Sequence, residues 1–148
     1  ENGRAIPLSV DHKPTLKRER DRIYKAGSTV NVEGRIDGNL NLSRAIGDLS
    51  YKKNVKLGLH EQSVTSFPDI KVHQINNKTD FMIMGCDGIW ETKTNQQIVD
   101  QVYIQMQRKV KINKIAEGLL DTLISPNITR TEGKGCDNMS LIIVDFRH

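Results

Sequence analysis

The chain has 148 residues, 22 basic against 18 acidic side chains for a net charge of +4, 36% hydrophobic and only 5% aromatic residues. That is one domain's worth at most, and a closed fold of this mass shows roughly 7,700 Å² of surface against about 24,000 Å² unfolded, so a sizeable core is open to it. No apolar run approaches the roughly 18 residues of a membrane helix, and the basic excess is spread rather than striped, which sets aside a membrane span and a nucleic-acid partner.

Asn2-Gly3 is a dipeptide of type I′ hairpin turns, and the alternating residues 4–10 after it read as a strand. A hairpin turn presupposes a strand before it. With neither methionine nor leader at Glu1, the chain reads as starting partway through a sheet, with the strand at 4–10 left as an exposed edge open to self-association. Residues 11–14 read as a turn and 15–26 as a helix that Gly27 stops. Its cluster of Lys17, Arg18, Arg20, Arg22 and Lys25, interleaved with Glu19 and Asp21, reads as a solvated face. Residues 29–32 and 40–42 alternate and are joined through Asp37-Gly38, a second hairpin signal, whereas 51–68 has no period and reads as loop. Residues 72–75 read as a short strand, and the nearly unbroken apolar run at 80–86 as a strand buried on both faces.

Thr94 with Gln97 forms a capping box, after which Ile98, Val99, Val102, Tyr103 and Met106 recur at helical spacing. Ile112, Ile115, Ala116, Leu119, Leu120 and Leu123 make a second amphipathic helix that ends before Pro126. Residues 138–146 close the chain as a strand with an apolar run at 141–144. Strands beside helices, with hairpin connections, predict an α+β layer arrangement.

Cys86 and Cys136 are too few for a disulfide framework and lack metal-finger spacing, which fits a reducing compartment. The sequons at Asn41, Asn77, Asn127 and Asn138 are cheap three-residue patterns, two of them in or beside apolar runs, and are discounted. The chemistry lies where two carboxylates meet two strand ends. Asp87 directly follows one apolar run and Asp137 directly precedes the other, so antiparallel pairing would bring both to the same rim. Bare carboxylates that close repel unless a proton or cation lies between them, and a hard ion such as Mg²⁺ or Mn²⁺ is the natural third party. On spacing alone, two strand-terminal turn aspartates beside Gly88 and Asn138 explain the pattern equally well.

Four blocks then stand in a telling order: Ser9-Val10-Asp11-His12-Lys13-Pro14, the run from Gly38 through Ser43-Arg44-Ala45-Ile46-Gly47 to Asp48, Cys86-Asp87-Gly88-Ile89-Trp90-Glu91, and Gly135-Cys136-Asp137-Asn138-Met139-Ser140. Together they resemble the metal-dependent protein serine/threonine phosphatases called protein phosphatase 2C. The resemblance implies that residues 1–148 are the C-terminal portion of a single catalytic domain, part of a four-layer α-β-β-α sandwich with mainly antiparallel sheets whose N-terminal half is absent. It implies hydrolysis of phosphoserine and phosphothreonine in proteins by a water activated at a dinuclear Mg²⁺ or Mn²⁺ centre, while the cysteine usage points to an intracellular, cytoplasmic or nuclear protein.

The resemblance makes Asp87 and Asp137 metal ligands, and Glu91, where the family has an aspartate, a candidate for a third ion. A flap-like region at about 27–60, beside the cleft, would influence substrate choice, with Arg44 and Asp48 as its candidates. These two read more simply as an ion pair anchoring the loop. Trp90 reads as core packing, His12 as a hydrogen-bonding turn residue, and both cysteines as small buried residues turned from the metals. His60, His73 and His148 have no supporting constellation.

The remaining ligands and the phosphate-gripping arginine of the family belong to its N-terminal half, so the chain alone is expected to bind metal poorly and to be nearly inactive, its partners being that half and a phosphorylated protein. Two rival classes stand against this reading. Asp37, Asn39, Asn41 and Asp48 fall at positions 1, 3, 5 and 12 of an EF-hand-like calcium loop, but Leu42 sits where glycine is required and strands flank it. The other rival is a catalytically dead scaffold or regulatory module on the same fold.

Overall fold

The computed structural model of the chain places residues 1–127 and 133–147. They form two compact units, one of residues 1–8 with 73–147 and one of residues 9–72. Among the described residues there are four α-helices and one two-stranded antiparallel sheet, an α+β composition.

The first unit is built from β1 (Phe81–Gly85), α2 (Asp87–Trp90), α3 (Asn95–Gln107), α4 (Ile112–Leu123) and β2 (Leu141–Asp145). Helix α3 begins at the expected capping box: the Thr94 hydroxyl accepts from the Gln97 amide at 3.3 Å, and Gln97 Oε1 accepts from the Thr94 amide at 2.9 Å. Two of the four orphan donors of the helix start are thereby satisfied. Ile98, Val102 and Met106 at i, i+4 spacing form its buried stripe. Helix α4 buries Ile115, Leu119 and Leu123 at the same spacing and ends at Leu123, with Ile124 already extended at ψ 128° two residues before Pro126. With Ile89, these six side chains make one core, each contributing roughly 1.5–3 kcal/mol by leaving water.

Strands β1 and β2 pair in the register Phe81↔Asp145 to Gly85↔Leu141. Phe81, Ile83, Leu141 and Ile143 pack on the helical core. The sheet's other face carries Met82, Met84, Ile142 and Val144, and here the expectation of burial on both faces fails, since Met84 is 43% and Ile142 58% exposed. An unbroken apolar run predicts two buried faces, and the described residues cover one.

Residues 4–10 and 72–75 form no strand. The turn at Asn2-Gly3 is nevertheless as expected, with φ of 50° and 72° and the Arg4 amide donating to Glu1 O at 2.9 Å. The backbone around Gly3 and Ala5 is held by a side chain rather than a ladder: Gln96 accepts from the Ala5 amide and donates to Gly3 O, both at 2.9 Å. A strand-like run needs a neighbouring strand to become a ladder, and neither run has one among the described residues. The edge strand from which self-association was expected is therefore not formed.

The second unit centres on α1 (Lys17–Lys25). Its end is a Schellman motif: with Gly27 at φ 97°, the Gly27 amide donates to Tyr24 O at 3.0 Å and the Ser28 amide to Ile23 O at 3.1 Å. Asp37 and Gly38, at φ 48° and 78°, make the second turn as expected. Residues 29–32 and 40–42 do not pair with each other; Val30 and Leu40 each bridge to Ile36. Leu49–Tyr51 and Leu59–Glu61 are single 3₁₀ turns in an otherwise irregular stretch. The apolar centre is small, with Ile23, Ile36 and Val64 fully buried.

The face read as solvated is not wholly so. The side chain of Glu19 is 2% exposed and that of Arg22 12%. Glu19 Oε1 accepts from Arg44 Nη2 at 2.6 Å, and Oε2 from Arg44 Nε at 3.1 Å, Ser43 Oγ at 2.7 Å and Arg22 Nη1 at 2.5 Å. Arg22 also donates to Gln62 O and Ser43 O, so a guanidinium, a carboxylate and loop carbonyls form one closed network. Burial pushes the Glu19 carboxyl up, but the donors from Arg44, Ser43 and Arg22 outweigh it and hold the group down at about 2. No helix among the described residues is long and apolar enough to cross a membrane.

Candidate metal centre

The end of β1 feeds straight into α2. Cys86, extended at φ −73° and ψ 176°, precedes the helix, and Asp87 is its first residue. This one-turn helix is anchored by Ile89, fully buried, and by Trp90, whose Nε1 donates to Gly85 O at 2.9 Å. Trp90 thus packs on the core, as its sequence context suggested. The Glu91 amide donates to Asp87 O at 2.9 Å, so Asp87 and Glu91 stand four residues apart on one helical face, and both are exposed.

The other carboxylate arrives from the opposite direction. Gly135, at φ 75°, turns the chain, and its carbonyl accepts from the Ser125 amide at 2.9 Å. Asp137 comes two residues later, exposed, with Oδ1 accepting from the Asn138 amide at 2.7 Å.

These two segments meet. The Cys86 amide donates to Ser140 O at 3.2 Å, and the Cys86 thiol donates to Asn138 O and accepts from the Ser140 amide, both at 3.2 Å. A Cβ at Gly88 would lie 2.5 Å from Asn138 O, a distance real side chains do not adopt. Only glycine lets the start of α2 approach Asn138 so closely. Asp87 and Asp137 therefore adjoin residues in direct contact, just beyond the Gly85↔Leu141 end of the sheet.

Asp87, Glu91 and Asp137 are exposed carboxylates on the segments that end at this rim, with no basic partner among the described residues. Hard oxygen donors of that kind suit Mg²⁺ or Mn²⁺ rather than a thiophilic ion. The set is incomplete, since Mg²⁺ demands six oxygens and no group of three His, Cys, Asp or Glu among the described residues could hold an ion. The two cysteines differ from expectation: Cys86 is half-buried and bonded to Asn138 and Ser140, while Cys136 is exposed, and neither forms a disulfide.

The flap candidates separate. Arg44 pairs not with Asp48 but with Glu19, and its Nη1 also donates to Phe67 O at 2.9 Å and Asp69 Oδ1 at 3.0 Å. Asp48 is exposed, in the left-handed region at φ 49°, with its carbonyl accepting from the Tyr51 amide. The sequence paired the wrong carboxylate because Glu19 is 25 residues from Arg44, and a Glu three residues before an Arg on a helix looks alike whether buried or exposed. His12 holds its turn, bonding Asp69 Oδ2 at 3.1 Å, while its carbonyl accepts from Ser43. The His12 bond, with Arg44 and Arg18, holds the Asp69 carboxyl well below its ordinary range. The calcium loop is not formed as such: Asp37 Oδ1 is taken by the Thr29 amide at 2.8 Å. His60 lies tilted against Phe67 with ring centroids 6.1 Å apart, His73 bonds Glu1, and His148 lies outside the described residues.

Residues 1–131 match a family model described as protein phosphatase 2C; Asp87 and Glu91 fall inside that match and Asp137 beyond its end. Protein phosphatase 2C homolog 2 of Hypocrea jecorina is 44% identical over 146 residues, which is 99% of this chain and 33% of that protein. Probable protein phosphatase 2C 60 of Arabidopsis thaliana is 43% identical over 146 residues, 99% of this chain and 40% of that protein. Among solved structures, a phosphatase from a pathogenic strain of Toxoplasma gondii superposes with a TM-score of 0.81 at 33% identity, covering 99% of this chain and 43% of that one. The chain thus spans well under half the length of these relatives.

Proposed function

The chain belongs to the protein phosphatase 2C family, and from that premise we propose that it supplies Asp87 and Asp137 to a dinuclear Mg²⁺ or Mn²⁺ centre in a parent protein that hydrolyses phosphoserine and phosphothreonine in proteins. The reading rests chiefly on one observation, the direct contact of residues 86–88 with 138–140, which brings both aspartates to one rim without a protein cation between them among the described residues.

Asp87 is set by the first turn of α2, and its aim depends on Ile89 and Trp90 holding that turn against the core. Asp137 is set by the Gly135 turn and by the Asn138 amide on its Oδ1. Glu91, one turn beyond Asp87, is the candidate for a third ion, although it is a methylene longer than the aspartate the family has there. When bound, the ions supply an activated water and neutralise the charge on the phosphoryl oxygens. No side-chain nucleophile is required of this chain. The sheet would be one layer of a four-layer sandwich, and the second unit would carry the flap. Two aspartates cannot fill two octahedral shells, so the 148-residue chain alone would bind Mn²⁺ weakly and turn over little substrate.

The test uses the full-length protein with a phosphothreonine peptide. Asp87→Asn and Asp137→Asn each lower Mn²⁺-dependent turnover by about 10²-fold or more while leaving the fold intact by circular dichroism, as expected when a charged ligand to a catalytic ion is neutralised. Turnover unchanged in either variant would remove that residue from the centre. No turnover in the wild-type full-length protein would favour the scaffold reading instead.

A further inference from the structure

Helices α3 and α4 leave between them a groove of about 330 Å³, lined by residues including Gln101, Ile104, Val110, Lys114, Gly118 and Thr122. We propose that this groove docks an acidic amphipathic peptide segment of a partner protein, separate from the carboxylate rim and independent of the phosphatase reading.

Four observations converge on that occupant. The floor is open by virtue of Gly118, where an added Cβ would meet nothing within 4 Å in mid-helix. Glycine there costs about 1 kcal/mol of helix propensity against alanine without any tight contact to explain it. The rim is apolar and accessible, with Ile104 49% and Val110 38% exposed. Gln101, one of the lining residues, has its Oε1 buried without a hydrogen-bond partner among the described residues, a polar atom left unsatisfied at the groove.

Charge selects the sign of the ligand. Residues 101–116 carry four basic side chains and no acidic one. Lys114 is paired with Glu117, but Arg108, Lys109 and Lys111 are exposed and have no carboxylate partner among the described residues. They sit in the connection between the two helices, at one mouth of the groove. Apolar anchors seated in a helix–helix groove, with carboxylates meeting an uncompensated basic mouth, describe an amphipathic acidic segment.

The probe is a fluorescein-labelled 14-residue peptide with leucines at i, i+3, i+4 and i+7 and glutamates elsewhere, read by anisotropy against the full-length protein. Micromolar binding is expected, weakening at least 10-fold with Gly118→Leu, which fills the floor, and with the Arg108→Glu/Lys111→Glu pair, and falling with added salt. A peptide with lysines for the glutamates should not bind. Far-ultraviolet circular dichroism serves as the folding control and should not move with either variant. The proposal is overturned by absent binding, by equal binding of the lysine peptide, or by indifference to both variants. Concentration-dependent dimers lost with Gly118→Leu would assign the groove to a second copy, and binding to anionic vesicles without the peptide would assign the basic mouth to a membrane; either result also overturns it.

Discussion

Among the described residues, residues 73–147 bury seven aliphatic or methionine side chains from three helices against a sheet, whereas residues 9–72 cluster only Ile23, Ile36 and Val64 and also bury Ala26, Glu19, Ser43, Gln62, Ser63 and Thr65. The first interior is assembled from periodic apolar faces, each tolerant of small shifts because the hydrophobic effect is non-directional. The second is assembled from hydrogen bonds and ion pairs, each of which must be met within a few tenths of an ångström. A segment with only nine helical residues can stay ordered that way, but at the risk that loss of one partner strands the others.

The largest test of this contrast is Glu19→Ala, which leaves the nearly buried Arg22 guanidinium without its carboxylate and Arg44 with Asp69 alone. It is expected to lower the stability of the full-length protein by about 3–5 kcal/mol in urea unfolding. A cost below about 1 kcal/mol would show that the network is ornamental and that Ile23, Ile36 and Val64 suffice.

Acid should separate the same two regions. The folded Glu19 group lies near 2, below its unfolded value of about 4.3, so the stability it contributes is complete above that unfolded value and disappears as pH falls toward 2. Asp69, also held low, adds in the same direction. Methyl signals of Ile36 and Val64 should therefore lose dispersion at a higher pH than those of Ile98 and Leu119. Simultaneous loss would contradict the contrast.

Three smaller effects probe the apolar region. Gly88→Ala forces its Cβ against Asn138 O and should cost about 1–3 kcal/mol, with weaker Mn²⁺ binding because the two aspartate segments are pushed apart. Thr94→Ala removes half of the capping box and should cost about 1 kcal/mol. Gly118→Ala, with open space above it, should stabilise by roughly 0.5–1 kcal/mol, raising the midpoint of thermal unfolding slightly.

Much of the apolar region is readable in the sequence. Thr94 and Gln97 announce α3, the spacing of Ile115, Leu119 and Leu123 announces α4, and the runs flanking Asp87 and Asp137 announce two strands whose antiparallel pairing brings those residues to one end. The one-turn helix α2 and the need for glycine at 88 are not readable, because both depend on how closely Asn138 approaches. In the polar region the turn at Asp37-Gly38 and the stop at Gly27 are legible, but the pattern assigns Arg44 to Asp48 when its carboxylate partners are Glu19 and Asp69.

By itself the sequence determined what is satisfied locally: helix starts and stops, turns with positive φ, and which strand ends carry carboxylates, since those hydrogen bonds and dihedrals close within a few residues. Only the tertiary structure decided which strand-like runs became strands and which charges were buried. Residues 4–10 and 72–75 had the pattern but no neighbour to pair with among the described residues, and Glu19 left the solvent only because Ser43 and Arg44, distant in the chain, came to meet it.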